Sequence, residues 1–414
     1  MTGTIPAENG MRRSRICLLH PFDPRGSQIG GIETCIRDLI AFHPPDVDVL
    51  LIGVDGRGDL DLGETHWCRF RERTFQFLPI LHYPDERARD AITAPFSMAL
   101  LRRFAMIARA VRSRACSLDL RRVEYAWVPT ALGAPFIQTL HGDGAWEPTH
   151  DSPLTRHRLV RQVGERFAMA MSRKFLCANP LITERLRQVY PRHRGKIETL
   201  WSWADTDVFR PQPLPDASDA FRIAFAGRLD AGKNLPLMFK TVAALRARLQ
   251  EKLEFHYVGT SNPARFPEFA AIADITIRHG FKDAAGLAET LAHVHAGILT
   301  SRHGGTPRCV LETLAVGRPV VAMHLPQLET VIQDHESGFL VRGGVPQHEL
   351  AERLADKFIA LRAAILRGEI DPHAVARKID PFTPRTQLAR VFHFHREIQR
   401  SGARPAMRAA RTAY

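Results

Sequence analysis

The sequence predicts an α/β protein of two domains, each built on a parallel sheet. Three observations predict it. The chain of 414 residues is longer than one hydrophobic core usually supports. Short apolar runs alternate with longer segments whose apolar residues recur at helical spacing, the pattern of βα units. Pro211, Pro213 and Pro215 mark a linker near the middle. No fixed-period repeat is present.

Composition narrows the class. A hydrophobic content of 45% with 24% charged residues is the balance of a globular protein. No run approaches about 20 apolar residues, so no transmembrane helix is expected. The opening MTGTIPAENGMRRSR lacks the apolar stretch of a signal peptide. The six cysteines, Cys17, Cys35, Cys68, Cys116, Cys177 and Cys309, form no C-x-x-C pair. They read as reduced thiols in a cytoplasmic protein rather than as zinc ligands. The net charge of +13 fits nucleic acid, an anionic membrane surface or phosphorylated substrates, or reflects only an arginine-rich host. No zinc-finger spacing, basic zipper or RNA-recognition aromatic motif supports the first.

In the first half, residues 1 to 13 read as disordered. Ile16–Leu19 reads as a buried strand, followed by the polar loop HPFDPRGSQIGG and a helix from Ile32 to Phe42. Gly30-Gly31-Ile32-Glu33 is a glycine turn at a helix N-terminus, where backbone N–H groups can approach an anion; it also reads as a tight βα turn. Val47–Ile52 is the next strand, and Thr74–Leu78 alternates as a strand does. Phe96, Leu100, Phe104, Ile107 and Val111 form one helical stripe, with Arg102, Arg103, Arg109, Arg112 and Arg114 on the other positions. That helix either packs on the sheet or lies on an anionic membrane. Val123–Val128 and Pro135–Leu140 read as strands, the second ending at His141, where a side chain can line a cleft or serve structure alone. Asp143 follows as a capping or acceptor-contacting carboxylate. A helix over Arg156–Met171, a strand over Phe175–Ala178, a helix from Pro180 to Tyr190 and a short strand over Ile197–Leu200 complete this half.

The second half restarts with a strand over Arg222–Ala226, then Gly227-Arg228-Leu229-Asp230-Ala231-Gly232-Lys233-Asn234 and a helix burying Leu237, Phe239, Val242 and Leu245. Arg228 and Lys233 thus lie at a strand-to-helix turn, where a phosphate can be held or where cations are simply solvated. Leu253–Gly259 and Ile275–Ile277 are strands. Gly297–Thr300 is a buried strand followed by a polar loop, and Pro307 falls in the first turn of the next helix with Thr306 as its N-cap. Gly317 fits the position after that helix. Val320–Ala322 and Gly338–Val341 are strands. Helices cover Gln347–Arg367 and Phe382–Ile398, and the tail from residue 400 reads as disordered.

The order Ser301, Gly305, Pro307, Leu311-Glu312, Gly317, Pro319-Val320-Val321 and Glu329 resembles the donor-sugar region of retaining glycosyltransferase family 4. Gly227-Arg228 followed by Lys233-Asn234, the Gly-Gly-x-Glu turn at 30–33, and Trp203 to Pro211 are similar to further segments of that family. The resemblance implies the GT-B fold, two Rossmann-like domains with parallel sheets facing across a cleft. Residues 1–210 would then form the acceptor domain and 211–381 the donor domain, with a helix over 382–399 returning to the first. It implies that Arg228 and Lys233 hold the donor diphosphate and that Glu312 contacts the nucleotide ribose. Gly30, Gly31, Gly305 and Thr306 would border the donor, the backbone around Phe281 would frame the base, and His141 would lie near the reacting sugar. Asp143 and Glu33 are the acceptor-side candidates. The implied activity is metal-independent hexosyl transfer from a nucleoside diphosphate sugar to a hydroxyl, with retention, in surface polysaccharide or glycolipid assembly at the inner face of the membrane. No cofactor is implied beyond the sugar nucleotide. The chain departs from the family pattern at Gly304, where the first motif glutamate stands, at Leu325-Pro326, where two glycines are frequent, and at Trp203 in place of glycine. Gly304 and Leu325-Pro326 motivate one alternative, a noncatalytic nucleotide-sugar-binding homologue; a GT-B nucleotide-sugar epimerase is a further enzymatic alternative.

Overall fold

The computed structural model describes residues 13–26, 30–83, 89–141, 158–229, 231–249, 252–302 and 307–402. The expectations for Asp143, Gly304, Gly305, Thr306 and most of both termini lie outside the described residues. Packing divides the chain into two units. The first is Met1–Cys177, Thr183–Glu198 and Leu388–Tyr414; the second is Ala178–Ile182 and Thr199–Gln387.

The first unit is built on β1 (Ser14–Leu19), β2 (Val47–Asp55), β3 (His66–Phe70), β4 (Arg73–His82), β5 (Ser117–Leu120), β6 (Phe136–Leu140), β7 (Lys174–Cys177) and β8 (Ile197–Thr199). Their order in the sheet is β3-β4-β2-β1-β5-β6-β7-β8. The pairs β1–β2, β1–β5, β2–β4, β5–β6 and β6–β7 are parallel, whereas β3 runs antiparallel to β4 at the edge. Successive residues of β1 and β2 are buried on both faces, as parallel strands covered by helices must be. Those helices are α1 (Gly31–Phe42), α2 (Arg89–Arg102), α3 (Phe104–Arg114), α4 (Trp127–Leu132), α5 (Arg158–Met171) and α6 (Pro180–Val189).

The second unit has a six-stranded sheet of β9 (Ala220–Ala226), β10 (Lys252–Val258), β11 (Thr276–Gly280), β12 (Ala296–Leu299), β13 (Val320–Met323) and β14 (Gly338–Val341). Its order is β11-β10-β9-β12-β13-β14, and every pair is parallel. Around it lie α7 (Leu235–Arg248), α8 (Ala284–Ala292), α9 (Arg308–Ala315), α10 (Gln347–Leu366) and α11 (Pro372–Arg377). Leu237, Phe239, Val242 and Leu245 of α7 are all buried, as their spacing predicts. The last helix, α12 (Pro384–Gly402), belongs from Leu388 onward to the first unit.

Four expectations need correction. Val123–Val128 is not a strand: Val123–Tyr125 is a 3₁₀ turn leading into α4. Tyr125, Val128 and Leu132, all buried, recur at helical spacing. The strand lies earlier, at β5. The stripe from Phe96 to Val111 is two helices, because Arg103 leaves helical geometry (φ −106°, ψ 18°). Phe96, Leu100, Ile107 and Val111 are buried, so the stripe packs inward while Arg102, Arg109 and Arg112 remain exposed. Pro307 is the N-cap of α9 rather than a first-turn residue. The chain passes into the second unit at Thr199, before residue 211, because Ala204 and Phe209 join the second core and the Ala204 N–H donates to Phe382 O at 3.0 Å.

No helix among the described residues is long and apolar enough to cross a membrane.

Candidate functional site

In the second unit β9 has β10 on one side and β12 on the other, which makes the carboxyl end of β9 a topological switch point, where open α/β sheets take ligands. Two glycines let the strand ends crowd together there. Gly227 has φ +145°, and a Cβ on Gly259 would lie 2.5 Å from Gly227 O. Arg228 follows, exposed. Residues Ala231–Lys233 make a 3₁₀ turn, and Asn234, left-handed at φ 50°, caps α7. The loop after β12 clamps this turn. Thr300 Oγ1 donates to Lys233 O at 2.7 Å and approaches Asn234 O at 3.3 Å, and the Arg302 N–H reaches Gly232 O at 3.4 Å. The turn's carbonyls are thereby drawn toward β12, while α7 and α9 both present N-terminal N–H groups at this end of the sheet.

Glu312 lies in the second turn of α9, mostly buried, with Arg308 Nε 3.4 Å from its carboxylate. Burial pushes the Cys309 thiol up; Lys233 pulls it down and Glu312 pushes it further up. Lys233, Cys309 and Glu312 therefore occupy one electrostatic neighbourhood. Phe281 is exposed directly after Gly280, which has φ +64°. Leu325 is buried and Pro326 begins a 3₁₀ turn, so this departure from the family pattern is absorbed into packing. Glu329 pairs locally with His324 at 2.6 Å.

In the first unit the equivalent switch point lies between β1 and β5. His20 follows β1, Arg121 follows β5 and His141 follows β6. Arg121 Nη1 donates toward His141 Nε2 at 3.4 Å. A guanidinium has no lone pair to accept with, so His141 Nε2 accepts and its proton resides on Nδ1. Burial, then the Arg121 charge, push the His141 imidazole down to about 3, with His20 adding to the shift and Asp119 and Glu33 opposing it. The ring is neutral near pH 7. Glu33, in the first turn of α1, is buried and 3.5 Å from His20 Nε2, so it belongs to this cluster rather than to an open surface. Gly30 is extended at φ −157°, and a Cβ on Gly31 would meet nothing within 4 Å. Gly31 is thus not required by its own packing, which leaves backbone approach by another molecule as what it permits.

A buried relay stands behind His141. Arg121 Nε lies 2.6 Å from Asp119 Oδ1. His395 of α12 approaches Asp119 Oδ2 at 3.4 Å with Nε2 and meets Ser117 Oγ at 2.8 Å with Nδ1. Arg121 and, before it, burial set the charge state of Asp119: burial raises its carboxyl, Arg121 and His395 outweigh that, and the net shift is downward. His20, Asp119, Arg121, Thr300 and His395 are not among the site residues expected from the sequence. Arg121 was detectable as the first residue past a strand, had β5 been placed correctly; the other four carry no local signal.

Comparison with known proteins fits these elements. Residues 220–361 match the family model described as Glycosyl transferases group 1, a span that lies within the second unit. The fold as a whole is GT-B. Sucrose-phosphate synthase from Thermosynechococcus elongatus aligns over 94% of this chain and 100% of its own, with a TM-score of 0.69 at 16% identity. Anabaena HepE in complex with UDP and glucose aligns over 92% and 100%, with a TM-score of 0.61 at 13% identity. Among curated relatives, D-inositol 3-phosphate glycosyltransferase of Geodermatophilus obscurus is 30% identical over 57% of this chain and 55% of its own length. The Saccharomonospora viridis protein of the same name is 25% identical over 58% of each. The matched chain thus spans a little over half the length of these curated relatives.

Proposed function

We propose that this protein is a retaining glycosyltransferase that moves a hexose from a nucleoside diphosphate sugar to a hydroxyl acceptor without a metal ion. The observation that carries the reading is the Lys233 turn clamped by Thr300 beside Glu312, inside the span matched by the family model. Departure of a nucleoside diphosphate builds negative charge on the leaving oxygen. Arg228, Lys233 and the helix N-termini supply preorganised positive potential for it. Glu312 accepts from ribose hydroxyls. His141, neutral with its proton on Nδ1, serves as a donor near the reacting sugar rather than as a cation. Gly30 and Gly31 admit the donor phosphates, Gly305 and Thr306 belong to the donor loop, and Phe281 borders the base. Asp143 and Glu33 are the acceptor-side carboxylates, Glu33 acting through His20.

The relatives are named for an inositol phosphate acceptor, and HepE binds UDP. UDP is therefore the first nucleotide to test, and a phosphorylated polyol or sugar, free or lipid-linked, the first acceptor class. The setting we infer is surface polysaccharide or glycolipid assembly on the cytoplasmic side, with exposed Arg102, Arg109 and Arg112 touching anionic headgroups. Gly304 in place of the family glutamate favours a second reading, nucleotide-sugar binding without turnover. A thermal-shift titration with UDP, GDP, ADP and their sugar conjugates, run beside Lys233→Ala, tests the site. Stabilisation by one nucleotide that Lys233→Ala abolishes supports the donor reading. No shift with any of them refutes it. Product analysis with and without acceptor then separates transfer from epimerisation and from silent binding.

A further inference from the structure

The first unit contains a pocket of about 820 Å³ that the chemistry above does not use; none of His20, Arg121 or His141 lines it. It opens beside edge strand β3, under the loops that follow β1 and β2. Arg25, Arg37, Arg57 and Arg69 line it together with His66, and among the described residues no aspartate or glutamate does. Arg25 is held from behind: Asp23 and Asp55 each lie 2.7 Å from its Nη2, and Asp59 lies 2.9 Å from Nη1. These contacts fix its direction. Arg57 donates to Arg25 O, and Arg69 Nε donates to Arg71 O at 3.0 Å. Neither has a carboxylate partner among the described residues, so both guanidinium charges remain available. Cys68 and Phe75, paired across β3 and β4, give the pocket an apolar floor. At its rim Trp67 is 68% exposed, a large aromatic face offered to solvent on an edge strand.

Uncompensated arginines select an anion, since guanidinium forks match carboxylate and phosphate oxygens. An exposed indole adds apolar contact area for a ring's C–H face. We propose that this pocket binds an anionic saccharide, its ring against Trp67 and its phosphate or carboxylate at Arg57 and Arg69. That the occupant is the acceptor, or its charged portion, rests on the transferase reading; the binding itself does not.

Cys68 reports on occupancy, because it lines the pocket and is half-buried. Burial holds its thiol up, so alkylation by a maleimide is slow enough to follow peptide by peptide in a mass spectrometer. Glucose 6-phosphate and glucuronic acid are the probes, the first testing a phosphate and the second a carboxylate. Glucose, inorganic phosphate and UDP are the controls. The expected result is slowed alkylation of Cys68 with one or both probes and little effect of the controls. The concentration needed should rise at least about tenfold in Arg57→Gln or Arg69→Gln, the loss typical of a charged hydrogen bond. No protection by either probe overturns the proposal. So does equal protection by inorganic phosphate, which marks a plain anion sink, by glucose, which removes the role of charge, or by UDP, which marks a nucleotide site. So too does unchanged protection in both variants. Cys309, half-buried beside Lys233 and Glu312, reads the donor site in the same experiment. UDP protection at Cys309 without sugar protection at Cys68 leaves the transferase reading standing and this one overturned; the converse separates them the other way.

Discussion

Burial and, after it, the Arg121 guanidinium at 3.4 Å oppose the charged form of His141 and push its imidazole from the ordinary 6.5 down to about 3. The two values diverge most clearly at pH 5. A histidine of ordinary pKa is about 97% protonated there, whereas one at 3 is about 1% protonated. Histidine-selective NMR, with His141→Gln to assign the resonance, reads this directly. The His141 signals should stay those of the neutral Nδ1–H tautomer from pH 8 to pH 5. The folded pKa lies below the unfolded one, so the unfolded chain binds the extra proton. The stability this ring lends is therefore full above pH 6.5. It declines by up to about 1.4 kcal/mol per pH unit as pH falls toward 3. Between pH 6.5 and 5 the wild type should lose about 1.6 kcal/mol more than His141→Gln, measured by urea unfolding of the two proteins in parallel. Arg121→Gln should move the titration upward, since the second-largest cause of the shift is gone. A His141 resonance that titrates near 6.5, or parallel stability curves for the two proteins, refutes the neutral-imidazole argument and with it the tautomer assigned above.

Three further outcomes are expected. Asp119→Asn leaves the Arg121 guanidinium buried without its counter-charge and should cost about 3–5 kcal/mol in urea unfolding. Because the Asp119 carboxyl is held below 3.8, the wild-type advantage is present above that pH and lost as pH falls through the folded value. Arg318, fully buried, donates to the carbonyls of Gln212, Pro213, Leu291, Ala292 and Val316; Arg318→Met strands them and should destabilise the second unit by about 3 kcal/mol or more, seen as faster exchange of the Gln212 amide that donates to Val316 O. Thr300→Val removes the bond to Lys233 O for about 1 kcal/mol of stability, yet should markedly reduce any nucleotide-induced thermal shift, because the turn it holds is the proposed phosphate site.

The second unit was legible because its signals are local. A strand ending in glycine, a cation-bearing turn, and a helix with Leu237, Phe239, Val242 and Leu245 on one side are each read within about ten residues, and α9 follows the same grammar around Glu312. The first unit was less legible because its decisive strand is polar. In Ser117-Leu118-Asp119-Leu120 the alternation suggests a half-exposed strand, yet all four residues are buried. What makes a buried aspartate tolerable is Arg121 two residues on and His395 from the far end of the chain, 276 residues away. No window on the sequence contains both. The more apolar Val123–Val128 therefore looks like the strand, which takes Arg121 away from a strand end.

The same long-range pairing says why α12 returns to the first unit. Its apolar residues Leu388, Val391, Phe392 and Ile398 are buried, which would hold any amphipathic helix against a core. Its polar residues do something more specific. His395 meets Ser117 and Asp119, and Gln399 donates to Ser117 Oγ at 2.7 Å and to Arg15 O at 2.6 Å while accepting from Ser14 Oγ at 2.7 Å. These contacts fall on β1 and β5, the two strands whose carboxyl ends carry His20 and Arg121. A helix that only covered apolar surface could slide by a turn at modest cost. One that must satisfy a buried aspartate and two buried serines has a single register, and that register is what holds Asp119 against Arg121, and Arg121 against the ring of His141.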